Sequence, residues 1–201
     1  MVAKDFIEEQ YEILDVGDDN ENYKELELFT YLKSAYIQLQ KDRPIFKEKI
    51  TLLTVADENE YFIKDDVIDV DVVVINNIPY KKRIINRFNE ECFSQRCEKI
   101  FSFDADKLYI YPALKKDDME IKISFSKAKR LDSEDADLNI PIFLEESLRL
   151  NFLSRACEKL PDRDNRNLST HYLKRYKQEI YEAKKASKTR HRSVTSDFQI
   201  I

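Results

Sequence analysis

The sequence predicts an α+β fold: N-terminal helices, a central antiparallel β region of six to seven short strands, a C-terminal helical hairpin and an extended C-terminal tail. Three observations lead there. Apolar residues recur at helical spacing before residue 44 and again from Pro141 to Ala186. Between them lie short β-branched and aromatic runs separated by turns rich in asparagine and aspartate. After Ala186 the periodicity fails. The chain is read as one α+β domain over 1–186 (1–44 helical, 45–130 mainly β, 139–186 a helical hairpin), followed by a basic and then apolar tail over 187–201.

Residues Ala3 to Val16 carry Phe6, Ile7, Tyr11 and Leu14 at helical spacing, and Gly17 follows where glycine often ends a helix. Asp18 to Asn22 is a polar connector. A longer helix runs from about Tyr23 to Arg43 on a stripe of Leu28, Leu32, Ala35 and Leu39, widened by Phe29 and Tyr36, and Pro44 stops it. Strands are expected over Ile50–Val55, Tyr61–Ile63, Val67–Ile75 and Ile78–Arg83. Asn76-Asn77 supplies the positive φ angles of a tight hairpin. Ile84 to Lys99 fits either a helix or an irregular excursion. Phe101 and Phe103 lead through Asp104-Ala105-Asp106 into Leu108–Pro112, and Met119–Phe125 alternates strictly as the last strand. Because glycine is nearly absent, asparagine and aspartate do the turning. Hairpin-linked strands imply antiparallel pairing. Asp132 to Asn139 is an acidic linker into the hairpin.

In the hairpin, Pro141 sits where proline is tolerated at a helix start. Leu144, Leu148, Phe152, Ala156 and Leu160 recur every four residues, and Leu150, Leu153 and Cys157 form a second row beside them. The apolar arc covers more than half the circumference, whereas a surface helix needs only about 100°. Glu145 and Arg149 fall inside the arc at a spacing that permits pairing. Two readings stay open. Either this is a central core helix with its charges at one end, or Glu145, Arg149, Leu150 and Leu153 meet a second copy of the chain.

Composition limits the function. The net charge of −5 does not mark a nucleic-acid binder in bulk. No run of 18 apolar residues exists, so no membrane span is expected, and the start of the chain lacks the apolar core of a signal peptide. Gly17 is the sole glycine in 201 residues, which excludes glycine-rich phosphate loops and dinucleotide fingerprints. Cys92, Cys97 and Cys157 fit buried thiols of a reducing compartment better than a disulfide framework. The spacing of Cys92 and Cys97 is wrong for common zinc knuckles, and the histidines are His171 and His191. No metal site, cofactor or catalytic residue is assigned. Adjacent acids such as Asp65-Asp66 and Glu90-Glu91 read as solvated turns, and Asp69 and Asp71 as the wet side of a strand.

Charge is unevenly spread. Ten acids face two lysines between Met1 and Thr30, and eight bases face two acids between Thr170 and Arg192. Such asymmetry commonly reports an interaction tail. Lys184, Lys185, Lys188, Arg190 and Arg192 are candidates for partner binding, joined by Phe198, Ile200 and Ile201, because an extended apolar terminus can add a strand to a partner's sheet edge. These bases would also neutralise phosphates. No aromatic is read as interleaved with them, as single-strand stacking would require, so a protein groove is the preferred receptor.

Several short patterns occur in a fixed order. Glu27-Leu28-Phe29-Thr30-Tyr31-Leu32-Lys33-Ser34-Ala35 is followed by Arg43-Pro44 and by the Thr-Leu-rich stretch Ile50 to Phe62. Then come Lys107-Leu108-Tyr109-Ile110-Tyr111-Pro112 and Ile140-Pro141-Ile142-Phe143-Leu144-Glu145-Glu146-Ser147-Leu148 ahead of the hairpin. Over about residues 1–186 this order resembles the head-to-tail adaptor (connector) proteins of tailed bacteriophages, the short-tailed type especially. Departures are Ala113 for a second proline, Ser147 for the usual alanine, the scarcity of glycine, the Ile84–Lys99 stretch and the basic extension.

The resemblance implies a non-enzymatic structural protein of the virion neck, present in the host cytoplasm before assembly. Copies, typically twelve, would form a homo-oligomeric ring beneath the portal protein and dock through the C-terminal segment. They would receive the tail tube or nozzle protein below. Genomic double-stranded DNA would pass through without sequence-specific contact, eased by an acidic channel wall. The rival expectation is a sequence-independent nucleic-acid-binding accessory protein working through the basic tail. A small hydrolase would require two carboxylates converging in a pocket.

Overall fold

The structure is a computed structural model that describes residues 1–14, 25–63, 66–83, 98–159 and 163–196, with the backbone alone at 25, 163 and 186–196. The chain divides into two compact units, one of residues 1–43 with 130–201 and one of residues 44–129. Gly17, Leu160, Pro161 and nearly all of the Ile84–Lys99 stretch lie outside the described residues.

The first unit is helical. It contains α1 (Ala3–Glu8), α2 (Tyr11–Leu14), α3 (Glu25–Asp42), a single 3-10 turn at Ile142–Leu144, α4 (Glu145–Glu158) and α5 (Arg163–Ser196). The N-terminal helix expected over Ala3–Val16 is thus two short pieces, broken around Glu9 and Gln10. The acidic linker is not a free tether. Its carbonyls at Ala136 and Glu134 accept the Ala3 and Lys4 N–H groups at 3.0 and 2.8 Å, satisfying donors that the first turn of a helix leaves open. The Tyr36 hydroxyl donates to Leu138 O at 2.5 Å and ties the linker to α3.

At the centre of this unit, α4 is enclosed by its own chain. Leu148, Phe152 and Ala156 are buried, and so are the second row, Leu150, Leu153 and Cys157, and a third row of Ser147, Asn151 and Ser154. Phe152 meets Phe6 of α1 edge-on with ring centroids 5.8 Å apart. Asn151 Nδ2 donates to Ala35 O of α3 at 3.3 Å, and Ser154 Oγ donates to Ser169 O of α5 at 3.1 Å. Helices of the same unit therefore line every apolar side.

The greatest departure from expectation is α5. The tail expected to be extended from Ser187 onward continues the helix to Ser196. Ala183, Ala186 and the lysines and arginines around them are strong helix formers. Once a helix is nucleated by packing, each further turn adds hydrogen bonds without needing an apolar face.

The second unit is a seven-stranded sheet of β1 (Phe46–Leu53), β2 (Glu60–Phe62), β3 (Val67–Ile75), β4 (Ile78–Lys82), β5 (Ile100–Asp104), β6 (Lys107–Tyr111) and β7 (Glu120–Lys127), in the order β1-β7-β3-β4-β5-β6-β2. The sheet is mixed, not purely antiparallel, because β4 and β5 pair in parallel through Lys81–Ile100 and Lys82–Phe101. The last strand inserts between the first and the third, so local hairpins do not determine the order. Residues from β2 at one edge and from β7 near the other share one core: Tyr61, Val70, Val73, Phe101, Leu108, Ile121, Ile123 and Phe125. The sheet curls around that core.

Tight turns without glycine use left-handed backbone at Asp57, Asn76, Asn77, Ala105 and Asp118, with φ between 50° and 63°. Asn76 and Asn77 form the two-residue loop between Ile75 and Ile78, as the sequence predicts. Thr54 anchors the loop before β7. Its Oγ1 donates to Lys116 O at 2.7 Å and accepts Met119 N at 3.0 Å.

Candidate interaction surface

The helical unit presents its chemistry along α5. This helix is 34 residues long, about 51 Å at 1.5 Å per residue, against about 21 Å for the 14 residues of α4. The two run antiparallel, with Ser154 beside Ser169 and Glu146 beside Arg175. Tyr176 and Ile180 point inward and are buried, and Tyr172 and Ala183 are half-buried on the same side.

A polar cluster locks the first half of α5 in place. The Tyr176 hydroxyl donates to Asp42 Oδ2 at the end of α3 at 2.6 Å, and Gln38 Nε2 donates to the same oxygen at 3.1 Å. Arg155 Nε donates to Asn151 Oδ1 at 3.2 Å alongside. Burial, and then the hydrogen bond and charge of Asp42, push the Tyr176 hydroxyl well above the usual phenol range. Tyr176 is therefore a neutral donor that fixes the direction of α5.

Opposite the buried face, α5 carries a basic stripe. Lys174, Lys177, Lys184 and Lys185 follow helical spacing on one side and all are exposed, with Tyr181, 67% exposed, among them. The sequence continues the spacing at Lys188 and Arg192. Tyr181 stands among the lysines of this wider stripe, one turn before Lys185, although no aromatic lies between Lys184 and Arg192. Its i+4 relation to Lys177 and Lys185, inside the stretch expected to be helical, was the available signal.

The remaining candidates separate cleanly. Lys184 and Lys185 lie on the stripe, and Lys188, Arg190 and Arg192 belong to the helical backbone of α5. Phe198, Ile200 and Ile201 lie outside the described residues. Leu150 and Leu153, expected at a contact between subunits, are 1% and 2% exposed within a single chain, so the core reading of α4 replaces the interface reading. Glu145 is half-buried in the first turn of α4. Arg149 does not take Glu145 as its partner. It donates to Glu146 at 3.2 Å and approaches Glu9 of α1 at 4.0 Å, while Glu146 also takes Arg175 of α5 at 3.5 Å. The surface edge of α4 is thus an alternating line of charge from α1 to α5.

Sequence reasoning also missed the apolar turn ahead of α4, where Ile142 and Phe143 are 83% and 67% exposed. The antiparallel register brings this turn to the level of Ile180 on α5. The carboxylates Asp69 and Asp71 are engaged in the sheet unit, Asp69 with Lys82 and Asp71 with Lys47 at 3.1 Å and Ser126 at 3.2 Å. Burial pushes the Cys157 thiol up, away from the thiolate form a nucleophile needs. Among the described residues no group of three His, Cys, Asp or Glu side chains is placed to hold a metal ion, and no helix is long and apolar enough to cross a membrane.

No protein-family model matches the sequence, and no curated protein matches it. The functional reading therefore rests on the molecule's own surfaces and on the resemblance drawn from its motifs.

Proposed function

We propose that the protein is a structural ring subunit of a phage neck, a head-to-tail adaptor that docks to the portal protein and receives the tail tube or nozzle protein. The observation that carries this reading is α5. A helix more than twice the length of its packing partner, fixed in direction by Tyr176 and Asp42, carries a line of exposed lysines opposite its buried face. A structural protein that joins others needs such a projecting element, and the succession of helices, sheet and helical hairpin agrees with the resemblance. The paired rows on α4 do not support assembly, because the chain covers them itself. In this reading genomic double-stranded DNA passes through the ring without sequence-specific contact.

The test is native mass measurement of the purified protein, alone and mixed with its portal protein. Several copies bound per portal ring are expected. A monomer that never associates with the portal overturns the reading.

A second reading is favoured by Tyr181 among the lysines: an accessory protein that binds nucleic acid without regard to sequence. It predicts retention on DNA that disappears at moderate salt and after removal of Ser187–Ile201.

A further inference from the structure

The helical unit carries two surfaces of opposite charge. One is the basic stripe, with exposed Lys174, Lys177, Lys184 and Lys185 around Tyr181. From Lys174 to Lys185 it spans about 16 Å of helix. The other is the outer surface of α1 and α2, where Asp5, Glu8, Glu9 and Glu12 outnumber the one base, Lys4, which lies 3.9 Å from Glu8, and where Ile13 is 50% exposed. That stretch is about as long, running from Ala3 to Leu14.

The line of charge along α4 sets their relation. Glu9 of α1 reaches Arg149, Arg149 reaches Glu146, and Glu146 reaches Arg175 of α5. The acidic surface on α1–α2 and the basic stripe on α5 therefore lie on different helices, which this line of charge joins across the exposed edge of α4. Each has an acidic or basic rim around one large exposed apolar or aromatic side chain, the arrangement of a small contact with an anchor and a polar border.

We infer that the acidic α1–α2 surface of one copy docks on the basic α5 stripe of the next, with Ile13 against Tyr181. The inference rests on the ring reading and names the contact that would build the ring. Like surfaces repel when paired with themselves, so acid meets base, and where each copy offers its two surfaces to two different neighbours the contact is head to tail and closes into a ring where its rotation allows. A second copy is favoured over nucleic acid because the complementary acids are on this chain, and because those same acids repel phosphates. Opposite charges at the rim speed and orient encounter and make the association sensitive to salt.

The experiment is a charge swap in the full chain. Lys177→Glu with Lys184→Glu inverts the stripe, Glu8→Lys with Glu12→Lys inverts the acidic surface, and a third chain carries all four changes. Self-association is measured by sedimentation and mass photometry at low and high salt, alone and with the portal protein. Circular dichroism verifies that each variant keeps its helices. The expected result is that each two-site variant associates at least about tenfold more weakly than the parent chain, and that the four-site chain recovers. Assembly that neither salt nor any variant alters overturns the inference while leaving the ring reading in place. Failure of the four-site chain to recover also overturns the inference. A parent chain that stays monomeric with and without the portal overturns both. Loss of binding to a duplex oligonucleotide in the stripe variant, with self-association unchanged, assigns the stripe to nucleic acid and overturns the inference.

Discussion

Truncating Leu153 to alanine distinguishes a core helix from an interface helix. Leu153 is 2% exposed on α4, among side chains of its own unit. The change removes three carbons, worth about 2.4 kcal/mol at about 0.8 kcal/mol each. The cavity left where neighbours cannot close in adds to this, so the expected loss is about 2.5 to 4 kcal/mol. With a urea dependence of about 2 kcal/mol per molar, the midpoint should fall by somewhat more than 1 M. The assay is urea unfolding followed by circular dichroism at 222 nm, which reads the helical unit, at two protein concentrations about tenfold apart. A core residue gives the same loss at both concentrations. If Leu153 instead served a contact between copies, the parent midpoint would rise with concentration and that dependence would vanish in the variant. A loss below about 1 kcal/mol, or a concentration dependence present in the parent and absent from the variant, would refute the placement of α4 at the centre of a single chain.

Further predictions follow from the same geometry. Tyr176→Phe deletes the hydrogen bond to the Asp42 carboxylate and should cost about 1.5 to 3 kcal/mol in the same unfolding assay. Tyr36 is held by burial at about 12 against 10.0 for a free phenol. The unfolded chain therefore releases this proton first, so stability is intact below pH 10 and falls as pH rises from 10 toward 12, by roughly 2 to 3 kcal/mol. Absorbance at 295 nm should show a tyrosine fraction that ionises late, and its absence would refute the burial of this hydroxyl. Ala105 occupies the left-handed region at φ 57° in the β5–β6 turn, so Ala105→Gly should stabilise the sheet unit by about 1 kcal/mol, seen as a higher thermal midpoint. Glu146→Ala breaks ion pairs whose side chains are 39 to 50% exposed, and should change stability by less than about 1 kcal/mol.

The turns illustrate how local chemistry and long-range pairing divide the work. Asn76-Asn77 could be placed from sequence because a two-residue hairpin loop needs two residues that tolerate positive φ, and asparagine does. The parallel pairing of β4 with β5 could not be placed in that way. It depends on where the chain returns after residue 83, and no side-chain pattern within either strand records it. The basic stripe fell between these cases. From Lys174 to Lys185 its spacing was legible, because that segment is expected to be helical, whereas its continuation at Lys188 and Arg192 was not, because α5 runs on where no apolar periodicity announces it.

By itself the sequence determined the α+β class, the positions of most helices and strands, the turns that asparagine and aspartate make, and the opposite charges of the two ends of the chain. These are local quantities, set by side-chain periodicity of 3.6 or 2 and by which residues tolerate which backbone angles. Only the tertiary structure decided that β7 lies between β1 and β3, that both apolar rows of α4 are covered by α1, α3 and α5 of the same chain, and that Arg149 takes Glu146 and Glu9 rather than Glu145. The physical reason is that burial does not name its partner. An apolar arc states how much surface must leave water, whereas which neighbour removes it depends on contacts between residues far apart in the chain.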